Sequence, residues 1–161
     1  MTRKKPWNRV DLPVYSISST DGKNRFNMNI VTYITAVSMQ PRRFMCGIYR
    51  GTQTLSFVKQ HPHFVLQLLS AEQYRLVDLL GKKSGRQVDK MGRLQKRDLI
   101  TDWNGFKVTK QALALLELRV INHISGGDHD CFLCELVAYK NTNDGTPLTL
   151  DVLRAKNMVR M

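Results

Sequence analysis

Two long apolar segments joined by a glycine-rich turn constrain the fold of this chain more than any other feature. The first runs from Leu113 to Ile124 and the second from Cys131 to Tyr139, with Gly126, Gly127 and Asp128 between them. Segments of this length and composition, separated by glycine, are typical of paired β-strands. We therefore predict a long β-hairpin with a tight glycine tip.

Shorter segments rich in Val, Ile, Thr and Tyr recur along the rest of the chain, and turn residues separate them. The predicted strands occupy residues 13–18, 25–39, 43–49, 63–70 and 146–153. A chain of 161 residues indicates a single domain with its own core. Sequential β-segments with few helices usually close into a barrel or a sandwich, so we predict a mostly-β fold with a few short helices.

Two helices carry recognisable start and stop signals. Thr52 is suited to cap a short helix that Pro62 ends. Ser70 and Gln73 form the S-x-x-Q pattern of a capping box, which predicts a helix over residues 71–80 that ends at Gly81. The polar, basic stretch that follows is predicted to be a loop or a short helix.

The charge of the chain indicates anionic ligands or partners. Lys and Arg number 25 against 13 Asp and Glu, which gives a net charge of +12. Such a surface attracts nucleic acid, anionic lipid or phosphorylated small molecules. Residues 1–12 are predicted to be a basic arm that precedes a domain over 13–161. Without an apolar leader, a spanning segment or a disulfide framework, the sequence predicts a cytoplasmic protein and no membrane association.

The C-x-x-C of Cys131 and Cys134 lies inside a predicted strand. Side chains three apart in a strand point to opposite faces, so these thiols are predicted to be core residues, and no metal site is predicted. His129 is different, because it lies at the hairpin tip, where side chains meet either solvent or a ligand.

Two loops have the composition of anion sites. Residues 81–90 (G-K-K-S-G-R-Q-V-D-K) combine cations, a hydroxyl and two glycines, which suits a phosphate or a solvated basic loop. Residues 51–54 (G-T-Q-T) offer hydroxyls and free amides at the start of a predicted helix. Together they favour a phosphorylated cofactor, while the absence of G-x-G-x-x-G disfavours a Rossmann fold.

Four segments in order resemble a known family. They are N-x-N-I-V-T-Y-x-T-x-V-S-x-x-P at 27–41, R-G-T-x-T at 50–54, G-K-K-S-G-R-x-V-D-K at 81–90, and L-E-L-R-V followed by G-G-D-H at 116–129. Over roughly residues 13–140 the chain is similar to the flavin reductase-like, FMN-binding split-barrel family, and most of all to its flavoredoxin-type branch. The resemblance implies a homodimeric Greek-key split barrel that binds FMN near the subunit interface.

By the same resemblance, the flavin ring lies against two strand segments, with Tyr33 packed on the ring and Cys46 on the strand beneath it. The residues implied at the ring are Asn27, Met28, Asn29, Ile30, Tyr33, Cys46 and Gly47. The residues implied at the phosphate and ribityl end are Thr52, Thr54, Lys83, Ser84 and Lys90. His129 matches the family's G-D-H histidine, near the flavin and the nicotinamide approach, and is the candidate catalytic residue.

Three functions are weighed. The first is an NAD(P)H:flavin oxidoreductase that moves a hydride from nicotinamide to flavin N5, with FMN as cofactor and NAD(P)H as donor. The second is a flavoredoxin-like carrier whose basic face docks an acidic electron-acceptor protein. The third, an OB-like barrel that binds nucleic acid, is least favoured, because the basic stretch from Lys82 to Lys96 contains no aromatic residue.

Overall fold

The structure is a computed structural model that describes residues 4–159. Its strands are β1 Tyr15–Thr20, β2 Phe26–Met28, β3 Ile34–Ser38, β4 Arg43–Tyr49, β5 His63–Leu68, β6 Ile100–Trp103, β7 Phe106–Thr109, β8 Ala114–Ser125 and β9 His129–Asn141. Its α-helices are α1 Gln53–Gln60, α2 Leu76–Leu80, α3 Lys90–Lys96 and α4 Leu150–Ala155. Two 3₁₀ helices cover Pro6–Asn8 and Ala71–Arg75. The first three residues of the predicted arm and the last two of the predicted domain lie outside the described residues.

The long hairpin predicted from the sequence is confirmed as β8 and β9. These strands pair antiparallel and form the middle of a seven-stranded sheet with the order β2-β1-β5-β8-β9-β4-β3. A separate two-stranded sheet, β6-β7, turns at Asn104 and Gly105, which both have positive φ. Mostly-β architecture with four short α-helices is thus confirmed, and the described strands form an open antiparallel sheet.

The strand predicted over residues 25–39 is confirmed at β2 and β3 but is wrong as one continuous strand, because the chain leaves the sheet between them. These two strands are the opposite edges of the sheet. Seven strands laid flat would separate the edges by about 29 Å, whereas the intervening segment 29–33 can span at most about 21 Å. The sheet must therefore curl, and backbone bonds of Val31 to Tyr15 and of Tyr33 to Gly47 tie the segment to β1 and β4.

The main core cluster lies where the curled sheet packs against α1. Ile17, Phe64, Leu118 and Phe132 are almost fully buried there with Val58 of α1. Complete burial of a side chain of this size stabilises the fold by roughly 2 kcal/mol. A second cluster of Val14, Leu69, Val77, Leu148 and Leu153 joins the end of β5 to α2 and α4.

The capping signals are confirmed. Thr52 Oγ1 accepts from the N–H of Leu55 at 3.2 Å at the start of α1, and the reciprocal box of Ser70 and Gln73 starts the segment that continues into α2. The first half of that segment is a 3₁₀ helix, and Gly81 is the C-cap as predicted.

The predicted last strand over residues 146–153 is wrong, because its second half, from Leu150, belongs to α4. Thr149 accepts from the N–H of Val152 and caps the helix, while Pro147 and Thr149 make only isolated bridges to Ser70 and Pro13. The apolar residues of a short segment do not by themselves separate strand from helix.

The cysteines lie on strands, as the sequence indicated. Cys134 is fully buried in the core beside Cys46, whereas Cys131 is half-buried, and all three thiols are free. The neighbouring Cys134, and then burial, raise the pKa of the Cys46 thiol well above its ordinary value. No helix within residues 4–159 has the length and apolarity needed to cross a bilayer.

Candidate functional site

An open cleft of about 530 Å³ lies beside the segment that connects the two sheet edges. Four parts of the chain line it: Asn27 with segment 29–33, the end of β4 with the first turn of α1, the loop from Leu80 to Gly85 with Lys90, and the hairpin tip at His129. Its volume falls in the range of small-molecule sites, about 300–1,000 Å³. The segment 29–33 that connects the sheet edges thus forms one wall of the cleft.

One corner of the cleft is buried and polar, and we call Asn27, Thr54, Gly85 and Lys90 the polar corner. Asn27 and Thr54 are 4% and 0% exposed, and Asn27 Nδ2 donates to Thr54 Oγ1 at 3.0 Å. Gly85 packs directly on this pair, since a Cβ there would lie 2.1 Å from Asn27 Oδ1. Only glycine therefore lets the 81–89 loop approach β2 this closely.

Lys90 is the fourth residue of the polar corner. Only 4% of the residue is exposed, and its Nζ donates to the carbonyl oxygens of Met28 at 3.0 Å and Leu80 at 2.9 Å. Burial lowers the pKa of Lys90 from 10.5 to about 8. An ammonium group has three protons, so one remains for a ligand in the cleft.

The exposed side of the 81–89 loop adds cations and a hydroxyl. Lys83 and Ser84 line the cleft with exposed side chains, and Lys82 forms an ion pair with Asp78 at 2.7 Å. Ser84 Oγ accepts from the N–H of Arg86 at 3.2 Å, which shapes the turn. The side chains of Lys83 and Ser84 can therefore reach an anion, while the backbone fold of the loop is set internally.

The first turn of α1 faces the same part of the cleft. The hydroxyl of Thr52 donates to the carbonyl of Tyr49 at 2.8 Å and caps Leu55, so it is committed to the turn and the helix. Gln53 and Thr54 line the cleft, and their N–H groups are in the first turn, where a helix has no internal acceptors. In this geometry α1 offers backbone amides, rather than the Thr52 hydroxyl, to an anion.

The other end of the cleft is aromatic, and we call Tyr33, Tyr49 and His129 the aromatic end. The His129 ring lies 4.9 Å from the Tyr33 ring and 5.2 Å from the Tyr49 ring, measured between centroids. Tyr33 and Tyr49 are 60% and 55% exposed. Flat faces that remain accessible can stack on a planar ligand.

The histidine is oriented by its neighbour in sequence. His129 Nδ1 lies 2.7 Å from Asp128 Oδ1. A carboxylate only accepts hydrogen bonds, so Nδ1 carries the proton and Nε2 is the acceptor in the neutral ring. Within the described chain, Nε2 has no hydrogen-bond partner, which leaves it for a ligand.

A cluster of charged side chains lies next to the aromatic end. Arg50 Nε donates to Asp130 Oδ1 at 3.0 Å, and Lys59 Nζ lies 3.1 Å from Asp130 Oδ2. These bonds from Arg50 and then Lys59 lower the pKa of Asp130 below 3.8. Tyr49 and His129 are paired residues of β4 and β9, so the cluster holds the two strands together next to the aromatic rings.

Two residues implied by the resemblance do not line the cleft. Cys46 is fully buried in the core beside Cys134, because its strand alternates and Gly47 is the neighbour that faces the cleft. Met28 is also fully buried, and it contributes only its backbone carbonyl, which accepts from Lys90. The other implied residues line the cleft together: Asn27, Asn29, Ile30, Tyr33, Gly47, Thr52, Thr54, Lys83, Ser84, Lys90 and His129.

Asn29 lines the cleft, but its side-chain oxygen is hydrogen-bonded to the backbone of β1. Its Oδ1 accepts from the N–H of Ile17 at 3.0 Å, and its own N–H donates to the Ile17 carbonyl. The side chain thus replaces a backbone carbonyl at the point where the chain leaves β2, which is an orienting role.

Sequence reasoning missed Tyr49, Arg50 and Gly85 as lining or shaping residues. Tyr49 follows Gly47 by two positions, and residues two apart in a strand share a face, so alternation could have found it. No local sequence pattern predicts the contact between Gly85 and Asn27, because these residues are distant in sequence.

The donor set suits a phosphorylated, planar ligand such as FMN. Free helix amides, Lys83 and the third proton of Lys90 lie around the polar corner, and two exposed aromatic rings lie at the other end. Gly47 keeps the space beside Tyr33 open, since a Cβ there would lie 3.1 Å from Tyr33 Cβ. The residues present therefore fit the flavin mononucleotide that the resemblance implies.

Comparisons with known proteins agree with this assignment of fold and family. The family model "Flavin reductase like domain" matches residues 7–155. A search of curated proteins found no match.

Solved structures of similar fold include several flavoproteins. The FMN-binding protein from Thermus thermophilus, with bound 1-cyclohex-2-enone, is 23% identical at a TM-score of 0.75, covering 88% of this chain and 78% of that chain. Flavoredoxin from Methanosarcina acetivorans is 19% identical at 0.73, covering 88% and 76%. The styrene monooxygenase flavin reductase from Pseudomonas putida is 19% identical at 0.71, covering 86% and 85%.

Proposed function

The chain belongs to the flavin reductase like family, and from that premise we propose that it binds FMN and reduces flavin with electrons from NAD(P)H. The observation that carries the proposal is the composition of one cleft, with anion donors at the polar corner and exposed aromatic rings at the other end. Flavin bound there would supply the two-electron chemistry that protein side chains lack. The chain's own residues bind the flavin, orient it and hold a proton.

The polar corner would hold the phosphate of the flavin. The first turn of α1 lines the cleft, and its amides suit an anion, while Lys83 adds an exposed ammonium. Lys90 adds a charge that is fixed in position by two backbone carbonyls. Because these groups are placed before the ligand arrives, little ordering cost is added on binding.

The aromatic end would place the ring system and the nicotinamide. Tyr33 and Tyr49 offer faces for stacking, and His129 lies between them with Nε2 directed away from Asp128. In this position the imidazole can accept a proton at Nε2 or hydrogen-bond an incoming nucleotide, since Nδ1 is bonded to Asp128 and Nε2 is the acceptor. Asp128 stabilises the protonated ring through Nδ1.

A second function, electron transfer to a protein, is favoured by the charge beside the cleft. Lys82, Lys83 and Arg86 are exposed on the loop that forms one rim, and the whole chain carries +12. A basic rim speeds the encounter with an acidic partner. This carrier function differs from the reductase in its electron acceptor, and FMN remains the cofactor in both.

The homodimer, the Greek-key connection, the domain boundary at residue 13 and a cytoplasmic location stay predictions of the family resemblance and the sequence. Exposed apolar side chains favour a subunit contact, among them Val37, Met39 and Ile124 at 50%, 80% and 61% exposure. Sedimentation of the purified protein measures the dimer directly.

The proposed function is tested by spectroscopy of the purified protein. We expect an oxidised-flavin absorption band after FMN addition and gel filtration, and bleaching of that band by NADH or NADPH under anaerobic conditions. Sustained NAD(P)H oxidation with excess free flavin supports the reductase, whereas slow oxidation that a protein acceptor accelerates supports the carrier. A protein that retains no flavin and oxidises no NAD(P)H with any flavin would overturn both.

A further inference from the structure

The hairpin tip that carries His129 is short and rich in glycine. Gly126 donates its N–H to the carbonyl of His129 at 2.8 Å, and Gly127 has φ +115. Glycine carries no side chain that could pack or bond, so residues 126–127 do not hold the tip by themselves. The position of the His129 ring therefore depends on groups outside the tip.

Arg50 holds the tip from the neighbouring strand with both its backbone and its side chain. It directly follows β4, and its N–H donates to the carbonyl of Asp128 at 3.0 Å, which continues the pairing of β4 with β9. Its guanidinium donates from Nε to Asp130 Oδ1 at 3.0 Å and from Nη2 to Ser125 Oγ. Ser125 and Asp130 are the last residue pair of β8 and β9, so one side chain bridges both strands at the base of the tip.

The carboxylate of this bridge is buried and is bonded by a second cation. Asp130 is 5% exposed, and Lys59 Nζ of α1 lies 3.1 Å from its other oxygen, Oδ2. The guanidinium of Arg50 is planar and presents its donors in a fixed fork, which lets it bond a carboxylate and a hydroxyl at once, whereas a lysine ammonium lacks this geometry. The bridge thus connects β4, β8, β9 and α1 beside His129, the residue before Asp130.

We propose that Arg50 is a positioning residue for His129, because its bridge between Ser125 and Asp130 holds the imidazole where turnover requires it. The inference rests on the proposed function, in which His129 accepts a proton or contacts the incoming nucleotide. A misplacement of about 1 Å can lower a rate about 100-fold, so a bridge that touches no ligand can still control turnover. Arg50 also lines the cleft, so direct contact with an anionic ligand is the competing role.

The first experiment is a double-mutant cycle between Arg50 and His129, measured by steady-state oxidation of NAD(P)H with flavin. We expect kcat to fall about fivefold in Arg50→Met and in Arg50→Lys alike, since lysine keeps the charge but loses the fork. In the His129→Ala background, either substitution should change kcat by less than about 1.5-fold, because residues that act through one another are not additive.

Arg119→Met is the matched control for this cycle. Arg119 of β8 forms an ion pair with Glu135 of β9 at 3.2 Å, outside the cleft, and 57% of its side chain is exposed. The substitution removes the same kind of bond between strands, and kcat should stay within about twofold of wild type, as expected for an exposed pair.

The second measurement follows the His129 ring without any turnover. The ¹⁵N shifts of the imidazole, recorded by NMR at alkaline pH where the ring is neutral, report which nitrogen carries the proton. We expect the Nδ1-protonated form that bonds to Asp128 to dominate in the wild type and in Arg119→Met, and a mixture of both forms in Arg50→Met. His129→Ala assigns the signals.

Several results would overturn the proposal. One is an equal loss of kcat with and without the His129 side chain, and another is an unchanged imidazole spectrum in Arg50→Met. An effect confined to the KM for NAD(P)H and restored by Arg50→Lys would instead assign Arg50 a direct contact with an anionic ligand.

Failure of the proposed function is distinguishable from failure of this inference. If the wild type oxidises no NAD(P)H with any flavin, the proposed function fails, and the imidazole spectrum alone shows whether Arg50 positions the ring. If the Arg50 variants do not fold, Ser125→Ala removes one exposed acceptor of the guanidinium and should lower kcat about twofold and mix the two ring forms. No change in either quantity would then overturn the inference.

Discussion

The two ends of the cleft, the polar corner and the aromatic end, differ in how far their residues also stabilise the fold. At the polar corner, Asn27, Thr54 and Lys90 are buried, and their polar atoms already bond to the protein. At the aromatic end, Tyr33 and Tyr49 are more than half exposed. Substitutions in the polar corner should therefore change binding and stability together. Substitutions at the aromatic end should leave stability nearly unchanged, and that of His129 should lower turnover more than binding.

The largest effect is expected from Gly85→Ala. The new Cβ would lie 2.1 Å from Asn27 Oδ1, so the loop or the asparagine must move away. We expect FMN affinity to fall about 30-fold, corresponding to about 2 kcal/mol of overpacking at a rigid contact. Flavin titration measures the loss.

The control for this change is Gly105→Ala in the β6–β7 turn. Gly105 has φ +83, and no atom lies within 4 Å of where a Cβ would stand, so the substitution strains the backbone away from the cleft. It should lower the midpoint of unfolding with FMN affinity unchanged. Equal FMN affinity in Gly85→Ala and wild type would show that the polar corner is not rigid.

The second effect is expected from Lys90→Met. The substitution leaves the carbonyls of Met28 and Leu80 without their buried donor, and we expect about 2 kcal/mol lower stability and about tenfold weaker FMN binding. Lys96→Met, on the exposed side of α3, is the control and should change neither quantity by much.

The pH dependence of stability and of FMN affinity gives a further test of the role of Lys90. Burial lowers the pKa of Lys90 to about 8 from 10.5, so between these values the native state releases a proton that the unfolded state keeps. Stability relative to Lys90→Met should therefore rise as pH increases from 8 toward 10.5. FMN affinity should fall over pH 7–9 as the ammonium loses its charge. The same fall in Lys90→Met would assign it to another group.

The smallest effect on binding is expected from His129→Ala. We expect NAD(P)H turnover to fall about tenfold, since positioned proton transfer contributes at least that much, with FMN affinity within about threefold. Steady-state kinetics beside flavin titration separates the two. His123→Ala removes an exposed histidine stacked on Phe132 outside the cleft and is the matched control. A greater loss of FMN binding than of turnover would contradict the division between the two ends.

Local signals predicted several elements correctly because their causes are local. The capping of α1 by Thr52, the box of Ser70 and Gln73, and the glycine hairpin tip each depend on a few neighbouring residues. The continuity of the strand over 25–39 and the last strand over 146–153 were wrong, because tertiary contacts decided both. Asn29 bonds to Ile17 and turns the chain out of β2, and Leu153 packs with Leu69 as part of a helix.

The order of chemically distinctive residues along the chain was enough to indicate a mostly-β flavin-binding family and eleven residues that line one cleft. Burial decided the rest. Strand alternation placed Cys46 in the core and Gly47 at the cleft, and tertiary packing brought Gly85 of the 81–89 loop onto Asn27. The chemistry of each side chain is fixed by its residue type. Which face of a strand is buried and which distant segments touch depend on how the whole chain packs.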